Sequence, residues 1–220
     1  MNFWNYEVYK KKLQWNIWPF TEVISSLLNL SREHEVSDKT VLEIGCGVGN
    51  NIIPIAKLGF EAYGIDISDY AILEAKKRSL RENVRIELIS GNVKKLPYES
   101  NFFSFIIDRS VLTCTSPEVI TESLEEVLRV LKPGGIFLAF DWFGINHPDL
   151  QFGRYIDDNC YRDFTFGRFK NVELITSFDF NTLKSYLQKF NRLDVTQVVS
   201  SSMTSKILTE TYNFTAYKPN

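Results

Sequence analysis

Residues 41–50 read VLEIGCGVGN, an apolar run that passes directly into glycines at alternate positions. Val41, Leu42 and Ile44 predict a buried strand. Glycine lets the backbone bend sharply or approach a ligand closely, because it has no Cβ atom. A strand, a glycine turn and a helix in this order are typical of nucleotide-binding sites in open α/β sheets. The stretch therefore predicts a ligand site at the carboxyl end of the first strand, with a purely structural turn as the alternative.

Two residues of this stretch argue against a dinucleotide. The dinucleotide fingerprint G-x-G-x-x-G needs a glycine where this chain has Asn50. Glu43 precedes the first glycine by two positions, and its carboxylate would repel a pyrophosphate but attract a positively charged ligand. A nicotinamide-dependent dehydrogenase is therefore disfavoured.

The composition is that of one globular domain. The 220 residues are 44% apolar and 24% charged, values typical of a chain with a sizeable core. A formal net charge of −2 gives no basic field for nucleic acid, and a solvated helix face explains the lysines at residues 10–12 better than a phosphate patch. No stretch approaches the roughly 18–20 apolar residues of a membrane span. The N-terminus lacks the basic-then-apolar order of a secretory signal.

The cysteines and histidines give no metal pattern. The three cysteines, Cys46, Cys114 and Cys160, are far apart and form no C-x-x-C pair, and the chain has two histidines. This spacing argues against a disulfide framework and against a metal site. It fits a reducing compartment, so we expect a cytoplasmic protein without a bound metal.

Strand-like and helical segments alternate after the glycine turn. Strands are predicted at residues 61–66, 84–90, 103–108 and 136–140. The clearest helix begins at Ser116-Pro117, a capping residue followed by a proline at the first helical position. It ends before KPGG at residues 132–135. This alternation predicts an α/β fold with a doubly wound, mostly parallel sheet.

The segments outside this alternation have their own patterns. Residues 3–30 carry aromatic side chains that suggest an N-terminal helical cap: Trp4, Tyr6, Tyr9, Trp15, Trp18 and Phe20. Residues 142–178 show no sustained period, and a connection this long predicts a lid. A helix at residues 181–190 is followed by two alternating segments, 193–200 and 211–217, which predict an antiparallel pair that closes one edge of the sheet.

We therefore predict a single domain over residues 1–220 with a seven-stranded sheet and an antiparallel C-terminal edge strand. It consists of a helical cap (residues 1–37), a ligand-binding core (38–141), a lid or substrate loop (142–178), and a C-terminal helix with strands (179–220).

Further ligand contacts are expected at the ends of the other strands, because parallel strands present their carboxyl ends at one edge of the sheet. In GIDIS, residues 64–68, Asp66 can accept both hydroxyls of a ribose and Ile67 can pack against a purine. In SGNVKKLP, Asn92 can accept from an adenine amino group, and the Val93 amide can donate to a ring nitrogen. Turn formation is the alternative role of Asp66 and Asn92.

Four motifs resemble those of the class I S-adenosylmethionine-dependent methyltransferases: VLEIGCGVGN, GIDIS, SGNVKKLPYESNFFSFIID and LRVLKPGGIFLAF, in family order within residues 38–141. The resemblance implies a Rossmann-like fold, S-adenosyl-L-methionine as cofactor and S-adenosyl-L-homocysteine as product. The cofactor-binding residues expected from the strand ends and the resemblance are Glu43, Gly45, Cys46, Gly47, Gly49, Asp66, Ile67, Asn92, Val93, Asp108 and Arg109. A helix cap is the alternative role of Asp108.

Two positions depart from the family pattern. Asn92 stands where many members have an aspartate, which weakens the expected recognition of adenine. Cys114 stands about where many relatives place a histidine, so no catalytic base is carried over to that position.

A base is needed only if the methyl acceptor arrives protonated. The two candidates follow the fifth strand. Asp141 lies at the strand end, and His147 is the side chain in that segment that would titrate near neutrality. Alternatively, Asp141 only orients a loop, and His147 only lies on the surface.

The predicted substrate-binding residues lie in the cap and the lid: Trp18, Trp142, His147, Arg154, Tyr155, Tyr161 and Arg162. The aromatic rings could wall a pocket. Arg154, Arg162 and Arg168 could bind a phosphate or carboxylate, with a solvated face as the alternative.

An enclosed site of this kind favours a small molecule as the partner. We therefore predict an O- or N-methyltransferase for a small polar metabolite, with a sugar or nucleotide-sugar as a candidate. A methyltransferase for RNA or protein is one alternative, and it would need a basic or open surface. The other is a non-catalytic module that binds S-adenosylmethionine or its product. The sequence predicts no oligomeric state.

Overall fold

The computed structural model describes residues 3–11, 16–34, 38–204 and 206–220. The described strands are β1 (Thr40–Ile44), β2 (Glu61–Asp66), β3 (Glu87–Ser90), β4 (Phe103–Arg109), β5 (Leu131–Phe143), β6 (Arg154–Tyr155), β7 (Cys160–Arg162), β8 (Leu174–Thr176), β9 (Arg192–Ser201) and β10 (Ile207–Tyr217). The α-helices are α1 (Thr21–Glu33), α2 (Ile52–Lys57), α3 (Asp69–Arg81), α4 (Pro117–Val130) and α5 (Phe180–Tyr186). A π-helical turn covers Trp4–Tyr9, and 3-10 turns cover Leu112–Cys114 and Pro148–Phe152.

Seven of these strands form one mixed sheet in the order β3-β2-β1-β4-β5-β10-β9. Strands β1 to β5 pair in parallel, whereas β10 is antiparallel to both β5 and β9. The predicted doubly wound sheet with an antiparallel C-terminal pair at one edge is confirmed. The chain's last strand lies between β5 and β9, so β9 forms the outer edge. The strand order reverses between β1 and β4, which opens a crevice at their carboxyl ends.

The two faces of the sheet bury alternate residues of the same strands. Val41 and Phe105 pack with α1, α2 and α3 on one face, while Leu42 and Ile106 pack with α4 and α5 on the other. This division follows from the two-residue period of a strand. Strands buried on both faces read as nearly continuous apolar runs, which is the pattern seen in β1 and β4.

Helix α4 and strand β5 show how tertiary pairing moves element boundaries. The helix starts at Pro117, as predicted from its cap, and ends at Val130. Strand β5 was predicted at residues 136–140 but extends over Leu131–Phe143. Its ends are paired by neighbouring strands, Leu131 with Phe103 and Phe143 with Thr211, and these partners are distant in sequence.

Residues 142–178, predicted as an irregular loop, carry a small antiparallel sheet in the order β6-β7-β8. Below it lies an apolar cluster of Phe143, Leu150, Phe164, Phe169, Val172 and Ile175. Trp4 of the N-terminal turn packs against this cluster. The small sheet and the N-terminal turn therefore meet over the crevice of the main sheet.

Asp108 holds the end of β4 in place. Its Oδ1 accepts a hydrogen bond from the Val111 amide at 2.9 Å, and its Oδ2 accepts from the Leu112 amide at 3.3 Å and from Trp142 Nε1 at 2.7 Å. The side chain is fully buried, and burial raises the pKa of Asp108 to about 6. The carboxylate thus joins β4, the turn that follows it and β5, as in the helix-cap alternative.

We expect Asp108→Ala to lower the free energy of unfolding by about 3 kcal/mol or more, because it leaves several buried N–H donors without an acceptor. Trp142→Phe keeps the ring but removes one donor, and should cost about 1 kcal/mol. Urea unfolding measures both, and the double variant gives their coupling. Glu99→Ala, at an exposed position, is the control and should change stability by less than about 0.5 kcal/mol. An Asp108→Ala protein as stable as this control would contradict the assignment.

Candidate active site

A cavity of about 900 Å³ lies at the carboxyl ends of β1, β2, β4 and β5. The glycine turn, the strand tips, the N-terminal turn and the small sheet all contribute to its wall. The structure brings ten of the predicted site residues together there: Glu43, Gly45, Gly47, Asp66, Ile67, Asn92, Val93, Arg109, Asp141 and Arg162.

The glycine turn wraps the end of the cavity nearest β1. Gly45 and Gly47 have φ of +63° and +54°, a region that L-residues rarely adopt. A Cβ at Gly45 would collide with Val111, and one at Gly47 would come within 2.6 Å of the Tyr9 hydroxyl. There is therefore no room for a side chain at Gly45 or Gly47, and the backbone of the turn itself lies at the cavity surface.

Cys46 and Gly49 were predicted to bind the ligand, but neither reaches the cavity wall. The Cys46 amide donates to Ile65 O at 3.0 Å, and its carbonyl accepts from the Gly49 amide at 2.9 Å. A Cβ at Gly49 would lie 2.8 Å from Ile53. The backbone groups of both residues are used in hydrogen bonds within the protein, so these residues stabilise the turn and do not contact the cavity.

Asp66 at the tip of β2 ties this turn to the next strand. Its Oδ2 accepts from the Gly47 amide and its Oδ1 from the Ser68 amide, both at 2.8 Å. Burial raises the pKa of Asp66 to about 6. Each carboxylate oxygen can accept a further hydrogen bond, so the side chain can hold the turn and still receive a hydroxyl from a ligand.

The tip of β3 forms the adjacent wall. Asn92 Oδ1 accepts from the Lys94 amide at 3.0 Å, the contact expected of a turn former, and the residue also lines the cavity. Val93 and Ile67 add apolar surface beside it. Ile67 keeps 45% of its surface exposed, so a flat ring can pack there without moving the core.

Glu43 carries an unpartnered buried oxygen at the cavity wall. Its Oε1 accepts from Asn51 Nδ2 at 2.7 Å, and the Ile52 amide is close enough to favour the carboxylate, but Oε2 has no partner at full hydrogen-bond geometry in the described part of the chain. Burial raises the pKa of Glu43 to about 8. An unsatisfied buried carboxylate oxygen is costly, and a cationic ligand would relieve that cost. The carboxylate of Glu43 therefore fits a ligand with a positively charged group.

The N-terminal turn covers this end of the cavity. Tyr9 lies over Gly47, and burial together with the nearby Asp66 raises the pKa of its hydroxyl. Arg78 holds the following segment, since its guanidinium donates to Val48 O at 2.6 Å and to Ile17 O at 3.2 Å. The sequence indicated an aromatic cap here but not that Tyr9 reaches the glycine turn. Trp15 lies outside the described residues.

Arg109 and Asp141 face each other across the tips of β4 and β5. Arg109 Nη2 lies 2.8 Å from Asp141 Oδ2, and the guanidinium stacks 3.6 Å from the centre of the Phe20 ring. Asp141 and Ser110 both have φ of +56°. Such backbone conformations are unfavourable for residues other than glycine and cluster at functional sites. Asp141 thus reaches the cavity with one oxygen paired and the other directed to Thr211 Oγ1, 3.5 Å away.

His147, predicted as a base and a substrate ligand, does not line this cavity. It is buried and borders a separate cavity of about 410 Å³, together with Tyr161. Its ring packs on Phe143 and Phe169, with centroids 5.5 and 4.8 Å away. Burial lowers the pKa of His147 to about 4, so the imidazole is neutral near pH 7. We correct the prediction: the chain turns back after β5 and places His147 behind the aromatic wall.

The other predictions that the structure does not place at the main cavity have simple geometric reasons. Trp142 faces the core because β5 has a bulge before it: Asn213 of β10 lies opposite two residues of β5, so Ala139 and Trp142 take the same face. Trp18 is 73% exposed and Tyr155 is 57% exposed. Arg154 is paired with Asp163 at 2.7 Å on the outer strand β6. Of the predicted residues, Asp108, Trp142, Trp18, Tyr155, Arg154 and Tyr161 are therefore removed from the main site.

The sequence missed part of the wall that the cavity does have. These residues are Tyr9, Phe20, Asn51, Val111, Phe143, Phe169, Val172, Leu174 and Thr211. Asn51 had a usable signal, because it directly follows the glycine turn that Glu43 precedes. Val111 and Phe143 lie two residues beyond Arg109 and Asp141, whereas the others come from distant segments that no local pattern marks.

The described residues contain no group of three His, Cys, Asp or Glu side chains arranged to hold a metal ion. None of their helices has the length and apolarity to cross a bilayer. Cys46, Cys114 and Cys160 are free thiols.

Comparisons with known proteins give a consistent assignment for the core. Residues 41–135 match a family model described as a methyltransferase domain. A tRNA N(3)-methylcytidine methyltransferase from Drosophila melanogaster is 29% identical over 66% of this chain and 47% of its own length. A sterol 24-C-methyltransferase from Pneumocystis carinii is 27% identical over 71% of this chain and 45% of its own length. The chain thus spans less than half the length of these curated relatives.

The same fold occurs in solved structures. A protein described as a SAM-dependent methyltransferase, from Methanosarcina mazei, superimposes with a TM-score of 0.70 and 20% identity, over 91% of this chain and 99% of that one. This similarity concerns the fold as a whole, whereas the family match covers the tips of β1 to β4 at the cavity. Residues 41–135 are thus similar to a methyltransferase domain, and the chain shares the fold of a protein described as a SAM-dependent methyltransferase.

Proposed function

We propose that this chain transfers a methyl group from S-adenosylmethionine to an oxygen or nitrogen atom of a small molecule bound in the same cavity. The observation that carries the proposal is the unpartnered Oε2 of Glu43 at the cavity wall. It lies beside a glycine turn whose backbone is closed to side chains. An ammonium group would satisfy Glu43 and a ribose would satisfy the neighbouring Asp66, and S-adenosylmethionine has both groups.

Each part of the cofactor has a matching group on the chain. Glu43 would bind the ammonium of the methionine part, beside the backbone of Gly45 and Gly47. Asp66 would accept from the ribose hydroxyls, and the adenine would lie between Ile67 and Val93. When bound, the cofactor supplies an electrophilic methyl carbon on a sulfonium.

The chain's own contribution to transfer is positioning and exclusion of water, because the leaving group is a neutral thioether. The acceptor's lone pair forms the bond to the methyl carbon while the carbon–sulfur bond breaks, and the electron pair of that bond stays on sulfur. If the acceptor is a hydroxyl or ammonium, its proton must leave. We propose Asp141 as the proton acceptor through Oδ1, since its Oδ2 is held by Arg109.

The covered cavity supports a small molecule as the acceptor. The N-terminal turn and the small sheet both border the cavity, and a net charge of −2 offers no attraction to a nucleic acid. A small polar metabolite, with a sugar or nucleotide-sugar as one candidate, remains the proposal derived from the sequence. The free cysteines fit a cytoplasmic location, which we propose on that ground.

The assignment of Glu43 predicts a selective loss of affinity. Glu43→Gln keeps an acceptor for Asn51 but removes the charge, so the affinity for S-adenosylhomocysteine should fall by roughly ten-fold or more. Methylthioadenosine has the adenosine part but no ammonium, and its affinity should not change. Calorimetric titration measures both ligands. The exposed Glu99→Gln is the control and should affect neither. Equal losses for the two ligands would show that Glu43 acts on the fold and not on the ammonium.

The raised pKa of Glu43, about 8, predicts a pH dependence of binding. Below pH 8 the ligand-free carboxyl is protonated, whereas an ammonium favours the carboxylate, so binding must release a proton. The affinity for S-adenosylhomocysteine should therefore rise between pH 6 and 8, by up to about ten-fold per pH unit, and then level off. Titration of Asp66, with a pKa of about 6, affects methylthioadenosine as well, so the difference between the ligands isolates Glu43. A difference that stays constant with pH would contradict this role.

Asp141→Asn tests the proton acceptor. Asparagine tolerates the left-handed backbone, so the fold and the affinity for S-adenosylhomocysteine should be kept. Transfer of radiolabelled methyl to a hydroxyl acceptor found by screening should fall by roughly 10²-fold or more. A variant with an unchanged rate and an unchanged pH profile of that rate would limit Asp141 to orienting the loop.

A further inference from the structure

We propose that the methyl acceptor is a flat, mainly apolar ring that carries one carboxylate or phosphate group, and that Arg162 binds this group. The inference rests on the proposed function and narrows its substrate. It departs from the sugar suggested by the sequence.

The part of the cavity beyond the strand tips is walled by apolar side chains. Phe143, Phe169, Val172 and Leu174 line it, and all four are buried in the ligand-free protein. The rings of Phe143 and Phe169 meet edge to face with centroids 4.6 Å apart. Such a wall stacks well against a flat ring. These four side chains offer no partners to the hydroxyls of a sugar, so hydroxyls packed against them would lose their hydration without compensation.

Arg162 is the cationic side chain on this wall that has no ion pair within 4 Å in the described part of the chain. It is exposed on β7, directly opposite Leu174 of β8. Arg168, which also lines the cavity, is held by Asp149 at 3.6 Å. Glu173 borders the same region without an ion pair to Arg162, and would limit how much negative charge an acceptor can carry. One planar guanidinium left open beside an apolar wall fits a single carboxylate or phosphate.

The neighbouring arginine shows that this openness is specific to Arg162. Arg154 pairs with Arg162 across β6 and β7. Its guanidinium donates to Asp163 through Nε and Nη2, at 3.0 and 2.7 Å, and it does not line the cavity. Two arginines on adjacent strands are thus used differently, one in a surface ion pair and one at the cavity.

Arg162 and Asp141 belong to different elements, the small sheet and the tip of β5. In the proposal, Arg162 holds the anionic group and Asp141 faces the reacting atom. The reacting hydroxyl or amine should be a different substituent of the ring from the anion.

The test is calorimetric titration of the protein saturated with S-adenosylhomocysteine. The probes are 4-hydroxybenzoate, phenyl phosphate, the uncharged 4-hydroxybenzamide, and glucose 6-phosphate. The two aromatic anions should bind, the amide at least about ten-fold more weakly. Glucose 6-phosphate should bind more weakly than either aromatic anion. The preference between carboxylate and phosphate then identifies the anion.

Arg162→Met keeps a long apolar side chain and removes the charge. It should weaken binding of the aromatic anions by roughly ten- to hundred-fold and leave binding of the amide unchanged. Arg162→Lys keeps the charge without the planar fork and should be intermediate. Arg154→Met is the matched control and should bind all probes as the wild type does.

Failure of the inference about the acceptor and failure of the proposed function give different outcomes. Tighter binding of glucose 6-phosphate than of the aromatic anions, or equal effects of Arg162→Met and Arg154→Met, would overturn the inference about the acceptor. The proposed function would stand in either case if S-adenosylhomocysteine still binds. Failure of S-adenosylhomocysteine to bind the wild-type protein would contradict the proposed function, and the inference with it.

Discussion

The buried hydrogen bond from the Gly47 amide to Asp66 is the contact on which the site depends. It joins the turn after β1 to the tip of β2 at 2.8 Å, and the second oxygen of the same carboxylate accepts from Ser68 at the start of α3. This arrangement holds the turn open toward the cavity, with Gly45 and Gly47 in left-handed conformations. Beside this contact, Glu43 has one oxygen paired to Asn51 and one unpaired. The ligand-free protein thus keeps two buried carboxyl groups whose pKa values are raised by burial, a cost that a cationic ligand with a ribose would offset.

The cavity has two halves with different origins. The half assigned to the cofactor is made by residues that directly follow β1, β2 and β3, so short motifs describe it and the family match covers it. The half assigned to the acceptor is made by the N-terminal turn, the small sheet and β10, which lie far apart in sequence. This division explains how relatives with the same core act on tRNA or sterols, as their descriptions state. Substrate choice in such a fold resides in the segments added around the strand tips.

The same division accounts for what could be predicted from the sequence. The sheet, the start of α4 and the positions of Asp66 and Asp141 follow from apolar periods, caps and strand ends. The orientation of the last side chains of β5 does not, because a bulge opposite Asn213 shifts the alternation by one residue and reverses the face that each following side chain takes. Trp142 was assigned to the substrate but turns inward to Asp108, while Phe143 faces the cavity instead. His147 titrates near neutrality in water, yet burial against Phe143 and Phe169 removes it from the site.

The central claim is that the strand-tip cavity binds S-adenosylmethionine. Calorimetric titration of the purified protein with S-adenosylmethionine, S-adenosylhomocysteine and NAD tests it most directly. The account predicts one site per chain for each of the first two ligands, with micromolar affinity, and no binding of NAD, because Glu43 disfavours a pyrophosphate. Binding of NAD alone, or of none of the three, would contradict the account and leave only the α/β fold established.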